Sequence, residues 1–227
     1  MLYVVGTPIG NLEDLSLRQA RIISEAEIIL SEDTRSTGML LQKIKELFNL
    51  SRNPSQRLIS YYREKEFEKL PEIIAFLEED KNIALISQAG MPLISDPGLL
   101  LVQTVIKRNI PFTVIPGATA ATTALVYAGF NPEFSLFMGF LPKKASHLKK
   151  LLLKLQGIKT IIPETSFIFY ESGQRVVETL TLIAEIFPEH KIVIGRELTK
   201  KFEEIIRGTA TDLAKRTYKG ELTIILK

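Results

Sequence analysis

Short apolar runs alternate with amphipathic helical segments through the first 116 residues, and this alternation constrains the fold more than any other feature of the chain. Residues 2–5, 27–30, 58–60, 82–87 and 112–115 read as strands. Ser16 with Gln19 three residues on forms a capping box that opens a helix running to about Glu25. Leu40, Ile44, Leu47 and Phe48 recur at helical spacing, as do Phe67, Leu70, Ile74 and Leu77, where Pro71 is expected to interrupt or restart the helix. Asp96 and Pro97 read as the N-cap and first residue of a further helix. Strand, loop and helix repeated in this way predict a parallel sheet covered by helices. Prolines and glycines gather at the strand ends, where open α/β sheets bind their ligands.

Beyond Pro116 the pattern changes. A small-residue helix is expected over 118–128, ended by Gly129, followed by strands near 134–138, 166–170, 191–195, 204–208 and 222–226. The last three stand close together, which predicts antiparallel pairing and a mixed sheet. The expected architecture is therefore two α/β lobes, 1–116 and 117–227, with a mainly parallel sheet in the first, a mixed sheet in the second, and the binding cleft between them.

The chain has 227 residues, enough to bury a sizeable core without covalent staples. It contains no cysteine, which excludes disulfides, thiolate metal sites and a cysteine nucleophile, and its two histidines make a histidine-rich metal site unexpected. No apolar run approaches the ~20 residues of a membrane span, and the N-terminus lacks the order of an export signal. A cytoplasmic protein without metal or membrane is expected. The net charge of +3 is small, but Lys143, Lys144, Lys149, Lys150, Lys154 and Lys159 fall in a stretch without a single acid. They suit either a phosphate-binding surface or the solvated face of a helix whose Leu148, Leu151, Leu152 and Leu155 form a buried stripe.

The loop Gly6-Thr7-Pro8-Ile9-Gly10-Asn11 fails as a dinucleotide fingerprint. Pro8 stands where the second glycine belongs and Asn11 where the third belongs, so close approach of a pyrophosphate is blocked. No phosphate-binding P-loop is present either. A rigid loop at the first strand's end still suits a ligand without phosphates, or simply a tight turn. Glu32 and Asp33 stand at the end of the second strand, the usual place for an acid that meets a ribose hydroxyl, although Arg35 is near enough to pair with Asp33. The small residues 116–121 permit a flat group to approach the backbone.

Several strings resemble one family. They are residues 2–12, Glu32-Asp33-Thr34-Arg35, residues 92–98, Ile115-Pro116-Gly117, Gly139-Phe140-Leu141-Pro142, Phe169-Tyr170-Glu171-Ser172 and residues 196–204. In this order they resemble the tetrapyrrole methylase superfamily, in its branch of small-subunit ribosomal RNA methyltransferases I. The resemblance implies S-adenosyl-L-methionine as cofactor, held between the lobes, a homodimer, and 2′-O-methylation of a cytidine ribose in small-subunit ribosomal RNA, as free RNA or in the 30S subunit. It implies cofactor contacts at Pro8, Gln88, Met91, Thr119, Ala120 and Tyr170. Glu32, Asp33 and Arg35 are the catalytic candidates: one acid takes the hydroxyl proton and Arg35 orients a phosphate or its partner carboxylate. Lys143, Lys144, Lys200 and Glu204 are the substrate-binding candidates.

The chain departs from the family's Ser-Asp-Ala-Gly-Thr-Pro at Ser87-Gln88-Ala89-Gly90-Met91-Pro92, which removes a negative charge from the cationic cofactor. Family members also commonly extend past the final strand. The alternatives are a methyltransferase of the same fold acting on a tetrapyrrole or other small molecule, and a non-catalytic cofactor-binding module, for which Gln88 is the motive.

Overall fold

The computed structural model describes all of residues 1–227 and divides into two compact units, Met1–Thr119 and Ala120–Lys227. The first unit is built on five parallel strands, β1 (Leu2–Val5), β2 (Ile28–Ser31), β3 (Arg57–Ser60), β4 (Ile83–Ile86) and β5 (Phe112–Ile115), in the order β3-β2-β4-β1-β5. Successive side chains of each strand enter opposite cores. Leu2, Val4, Leu30 and Leu85 pack with α3 (Glu66–Glu78) and α4 (Leu99–Lys107). Val5, Ile29, Ala84 and Ile86 pack with α1 (Leu17–Glu25) and α2 (Thr34–Phe48). Both faces are covered, which is why these strands read as unbroken apolar runs rather than alternating ones.

The chain leaves β1 toward the α1 face and leaves the neighbouring β4 toward the α4 face. A crevice must therefore open at the carboxyl ends of these two strands. The capping box is present: Ser16 Oγ accepts from Gln19 N–H at 3.2 Å, and Gln19 Oε1 accepts from Ser16 N–H at 2.6 Å.

Two local expectations are corrected. Pro71 lies inside α3 without interrupting it; the Phe67 carbonyl that it leaves without an amide partner is on an exposed turn, where water can satisfy it. Asp96 is not the cap of α4. The helix starts later, at Leu99, after Gly98 with φ of 119°, and the Glu66 carboxylate of α3 accepts the Gly98 N–H. A carboxylate still meets the positive end of that helix, but it comes from a neighbouring element.

The second unit carries β6 (Ser135–Phe140), β7 (Ser166–Ser172), β8 (Lys191–Arg196), β9 (Glu204–Thr209) and β10 (Glu221–Leu226) in the order β6-β7-β10-β8-β9. β6 and β7 are parallel, joined by α6 (Ala145–Ile161), and every other pairing is antiparallel, giving the mixed sheet. Phe167, Phe169, Ile192, Ile194, Leu222 and Ile224 face a core completed by α6, α7 (Val176–Ile186) and α8 (Ala210–Leu213). α5 (Ala120–Ala128) lies against β7, β8 and β10. The helix α7 between β7 and β8 is an addition to the expected elements. Its Val176, Thr179, Leu180, Ile183 and Ile186 supply the buried stripe that periodicity offers there.

Candidate active site

The loops at the carboxyl ends of β1, β4 and β5 are tied together by main-chain contacts. Thr7 and Gly90 form a two-residue antiparallel bridge, with Thr7 N–H donating to Gly90 O at 2.8 Å and Gly90 N–H to Thr7 O at 3.1 Å. Ser87 Oγ also donates to Gly90 O, at 2.8 Å, and Thr7 Oγ1 to Ser87 O at 3.2 Å. Gly90 has φ of 84°, so the loop can double back onto Thr7 and leave Gln88 and Ala89 exposed at its tip. On the other side of β1, a Cβ on Gly6 would lie 2.8 Å from Gly117 Cα and 2.6 Å from Met91 Sδ. Only glycine permits this approach.

Gln19 completes the clamp. Its Nε2 donates to Gly6 O at 2.7 Å and to Pro116 O at 3.1 Å, while Oε1 holds the cap of α1. One buried amide thus fixes a helix start and two strand-end loops. The capping box identifies Gln19 in the sequence, but nothing local signals this second role.

Pro8, Glu32, Asp33 and Gln88 line one cavity of about 240 Å³, with Thr7, Ser31, Ser87, Thr37 and Met39. Its only ionisable groups are the two acids. Drug-sized ligands take roughly 300–1,000 Å³, so this cavity suits a sugar or a base better than a whole S-adenosylmethionine. An acid-lined cavity without a basic side chain suits a cationic group or a hydroxyl and disfavours phosphate. That charge balance fits a sulfonium donor bound nearby.

The acids differ. Asp33 is the N-cap of α2: its Oδ1 accepts the Arg35 N–H at 2.8 Å, and its carbonyl accepts from the Ser36 and Thr37 hydroxyls, each at 2.9 Å. Thr37 is buried and bonds Ser31 Oγ at 2.8 Å, which locks α2 to the end of β2. Glu32 is half-buried. Burial raises its pKa above the ordinary glutamate range, Arg63 opposes the shift, and Glu64 adds to it. Arg35 is exposed on the first turn of α2, with only its main chain engaged by Asp33.

Thr119 is half-buried at the end of the first unit, and Ala120 opens α5 of the second. Tyr170 lies on β7, half-buried, edge-on to Phe137 and Phe140 at 4.9 and 5.6 Å. Lys143 and Lys144 are exposed before α6, whereas Lys149 pairs with Glu185 at 2.8 Å. Leu148, Leu152 and Leu155 form the buried stripe of that helix.

Lys200 and Glu204 are each held in ion pairs within the second unit. Lys200 pairs with Glu197 at 3.2 Å and Glu221 at 2.6 Å, and these carboxylates raise its pKa against the lowering effect of burial. Glu204 divides its oxygens between Arg196 at 3.0 Å and Arg216 at 2.8 Å. Both side chains brace the ends of β8, β9 and β10. Glu171, given no role by the sequence, has a fully buried side chain that accepts from Thr179 Oγ1 at 2.8 Å and faces Arg175 at 3.4 Å. No cluster of three or more histidine, cysteine or acidic side chains is arranged to hold a metal ion, and no helix is long and apolar enough to cross a membrane.

Residues 1–214 match the tetrapyrrole (corrin/porphyrin) methylase family. The chain belongs to that family. Among its relatives, a ribosomal RNA small subunit methyltransferase I of Hydrogenobaculum sp. is 41% identical, with 99% of this chain and 94% of the relative covered. The protein of the same name from Streptococcus pyogenes is 39% identical, covering 99% of this chain and 75% of its own length. Relatives thus differ in how much of their length lies outside the match. A solved cobalt precorrin-4 methyltransferase superposes with a TM-score of 0.68 at 16% identity, covering 99% of this chain and 93% of that one. That likeness shows the shared fold.

Proposed function

We propose that this methylase transfers a methyl group from S-adenosylmethionine to the 2′-oxygen of a cytidine ribose in small-subunit ribosomal RNA. The observation that carries the reading is the 41% identity, over 99% of the chain, to a relative named for small-subunit ribosomal RNA methylation. S-adenosylmethionine, when bound, would supply an electrophilic methyl carbon whose bond to the positive sulfur breaks on transfer, leaving a neutral thioether.

The chain's part is to position the groups and to remove a proton. The clamped loops bearing Pro8, Gln88 and Met91 contact the donor, with Thr119, Ala120 and Tyr170 as its further contacts. The acid-lined cavity receives the ribose. Glu32 accepts the 2′-hydroxyl proton as the new carbon–oxygen bond forms, and its raised pKa makes it a stronger base than an exposed carboxylate. Asp33 holds the start of α2, and so the placement of Glu32 and Arg35. Arg35, exposed beside the cavity, meets a phosphate of the acceptor strand, and Lys143 and Lys144 meet others. The acceptor is read as RNA and the active form as a homodimer, each from the family resemblance, and a ribosomal RNA acceptor fits the cytoplasmic location expected from the sequence.

Incubation with S-adenosylmethionine labelled in its methyl group, together with small ribosomal subunits lacking the modification, tests the reading. Label is expected in the RNA fraction. Label confined to an added tetrapyrrole would favour the small-molecule reading. No binding of the donor by calorimetry at high micromolar concentration would favour a module without turnover.

A further inference from the structure

The turn joining β6 to α6 presents an aromatic ring and two ammonium groups on one braced support. Phe140 ends β6 and is 61% exposed, whereas Leu141 beside it is buried and anchors the turn in the core. Gly139, with φ of 64°, lies within an irregularity in the pairing of β6 with β7 that falls between Phe137 and Phe140, just before the strand ends. The Phe140 ring is held against Tyr170, with planes inclined at 64°.

The main chain that follows is fixed from below. Arg175 Nη2 donates to Leu141 O at 3.3 Å and to Pro142 O at 3.0 Å. Its partner Glu171 is secured by the Thr179 hydroxyl and by the Ser172 amide at 2.9 Å. Lys143 and Lys144 come next, both exposed and neither in a salt bridge, and the exposed residues after them include Ser146, His147 and Lys150. Such surroundings are cationic and polar, unlike the wide apolar patch a protein partner would cover.

We propose that Phe140 is a stacking platform for an unpaired base of single-stranded RNA, with Lys143 and Lys144 on the adjacent phosphates. The proposal rests on the RNA acceptor proposed above and names where the strand is held. An exposed ring accepts the face of any base, and neighbouring lysines neutralise the backbone. A duplex hides its base faces, so the ring discriminates for single strands, whereas the lysines alone do not. Half-buried Arg175, paired with the buried Glu171, holds the platform in place before the strand arrives.

Fluorescence anisotropy with a labelled single-stranded RNA and a labelled RNA duplex, without methyl donor, tests this directly. Phe140→Ala should weaken single-strand binding about tenfold and leave duplex binding unchanged. Phe140→Trp should restore the single-strand affinity. Unchanged single-strand affinity in Phe140→Ala overturns the proposal, as does an equal loss for both RNAs. A fall in oligomeric size in Phe140→Ala would make the ring a subunit contact and also overturns it. Wild-type protein that binds neither RNA overturns the platform. Wild-type protein that binds single strands through Phe140 but transfers no methyl group overturns the reaction and leaves the platform standing.

Discussion

At the scale of single residues, Glu32 and Asp33 are adjacent acids given different work by their surroundings. Asp33 turns its carboxylate into the helix it caps, while Glu32 is half-buried and holds its proton more tightly than a free glutamate. Glu32→Gln should therefore slow methyl transfer by about 10²–10⁴-fold with donor affinity retained. Because the base must be deprotonated, the wild-type rate should rise with pH through an ionisation above the ordinary glutamate range, and this limb should vanish in Glu32→Gln. A wild-type profile without that limb would remove Glu32 from the chemistry. Asp33→Asn should behave nearly as wild type, since asparagine caps as well as aspartate, whereas Asp33→Ala should cost about 1 kcal/mol in urea unfolding. A loss of rate in Asp33→Asn as large as in Glu32→Gln would reverse the assignment.

At the scale of elements, the strand-end loops are held by a few polar groups whose removal leaves carbonyls, the buried one of Gly6 among them, without their donor. Gln19→Leu should destabilise the protein by about 1–3 kcal/mol, measured by chemical denaturation, because the Gly6 and Pro116 carbonyls lose their donor. An unchanged midpoint would show that water replaces the amide. For the turn before α6, Lys143→Glu with Lys144→Glu should lower the salt dependence of RNA binding by roughly 0.7 for each phosphate no longer neutralised. An unchanged slope would leave those lysines to solvent.

The strands and most helices are legible in the sequence because burial on both faces of the first sheet writes continuous apolar runs. Single side chains are legible only where their partner is local. The Ser16–Gln19 cap spans three residues and can be read. The Glu66 carboxylate at Gly98 and the Lys200–Glu221 pair join residues far apart in the chain, so the sequence alone makes Asp96 a cap and leaves the second partner of Lys200 unseen. Arg216 likewise reaches Glu204 from beyond β9. The acids of the candidate site are legible as a motif, but their division of work depends on burial and on the direction each side chain takes.

At the scale of the whole molecule, the two units supply different things. The first offers a clamped set of strand-end loops and an acid-lined cavity, with no basic side chain in the cavity lining. The second offers exposed lysines and an exposed aromatic ring on a braced turn. A methyl donor and a ribose suit the first set of groups, and an RNA strand suits the second. The measurement that bears most directly on this account is nucleoside analysis of small-subunit ribosomal RNA after incubation with the protein and S-adenosylmethionine. A cytidine gaining a single methyl group on its ribose oxygen, at one position, is the result predicted. Methylation on a base carbon or nitrogen, or RNA left unchanged by a protein that binds the donor, would contradict it.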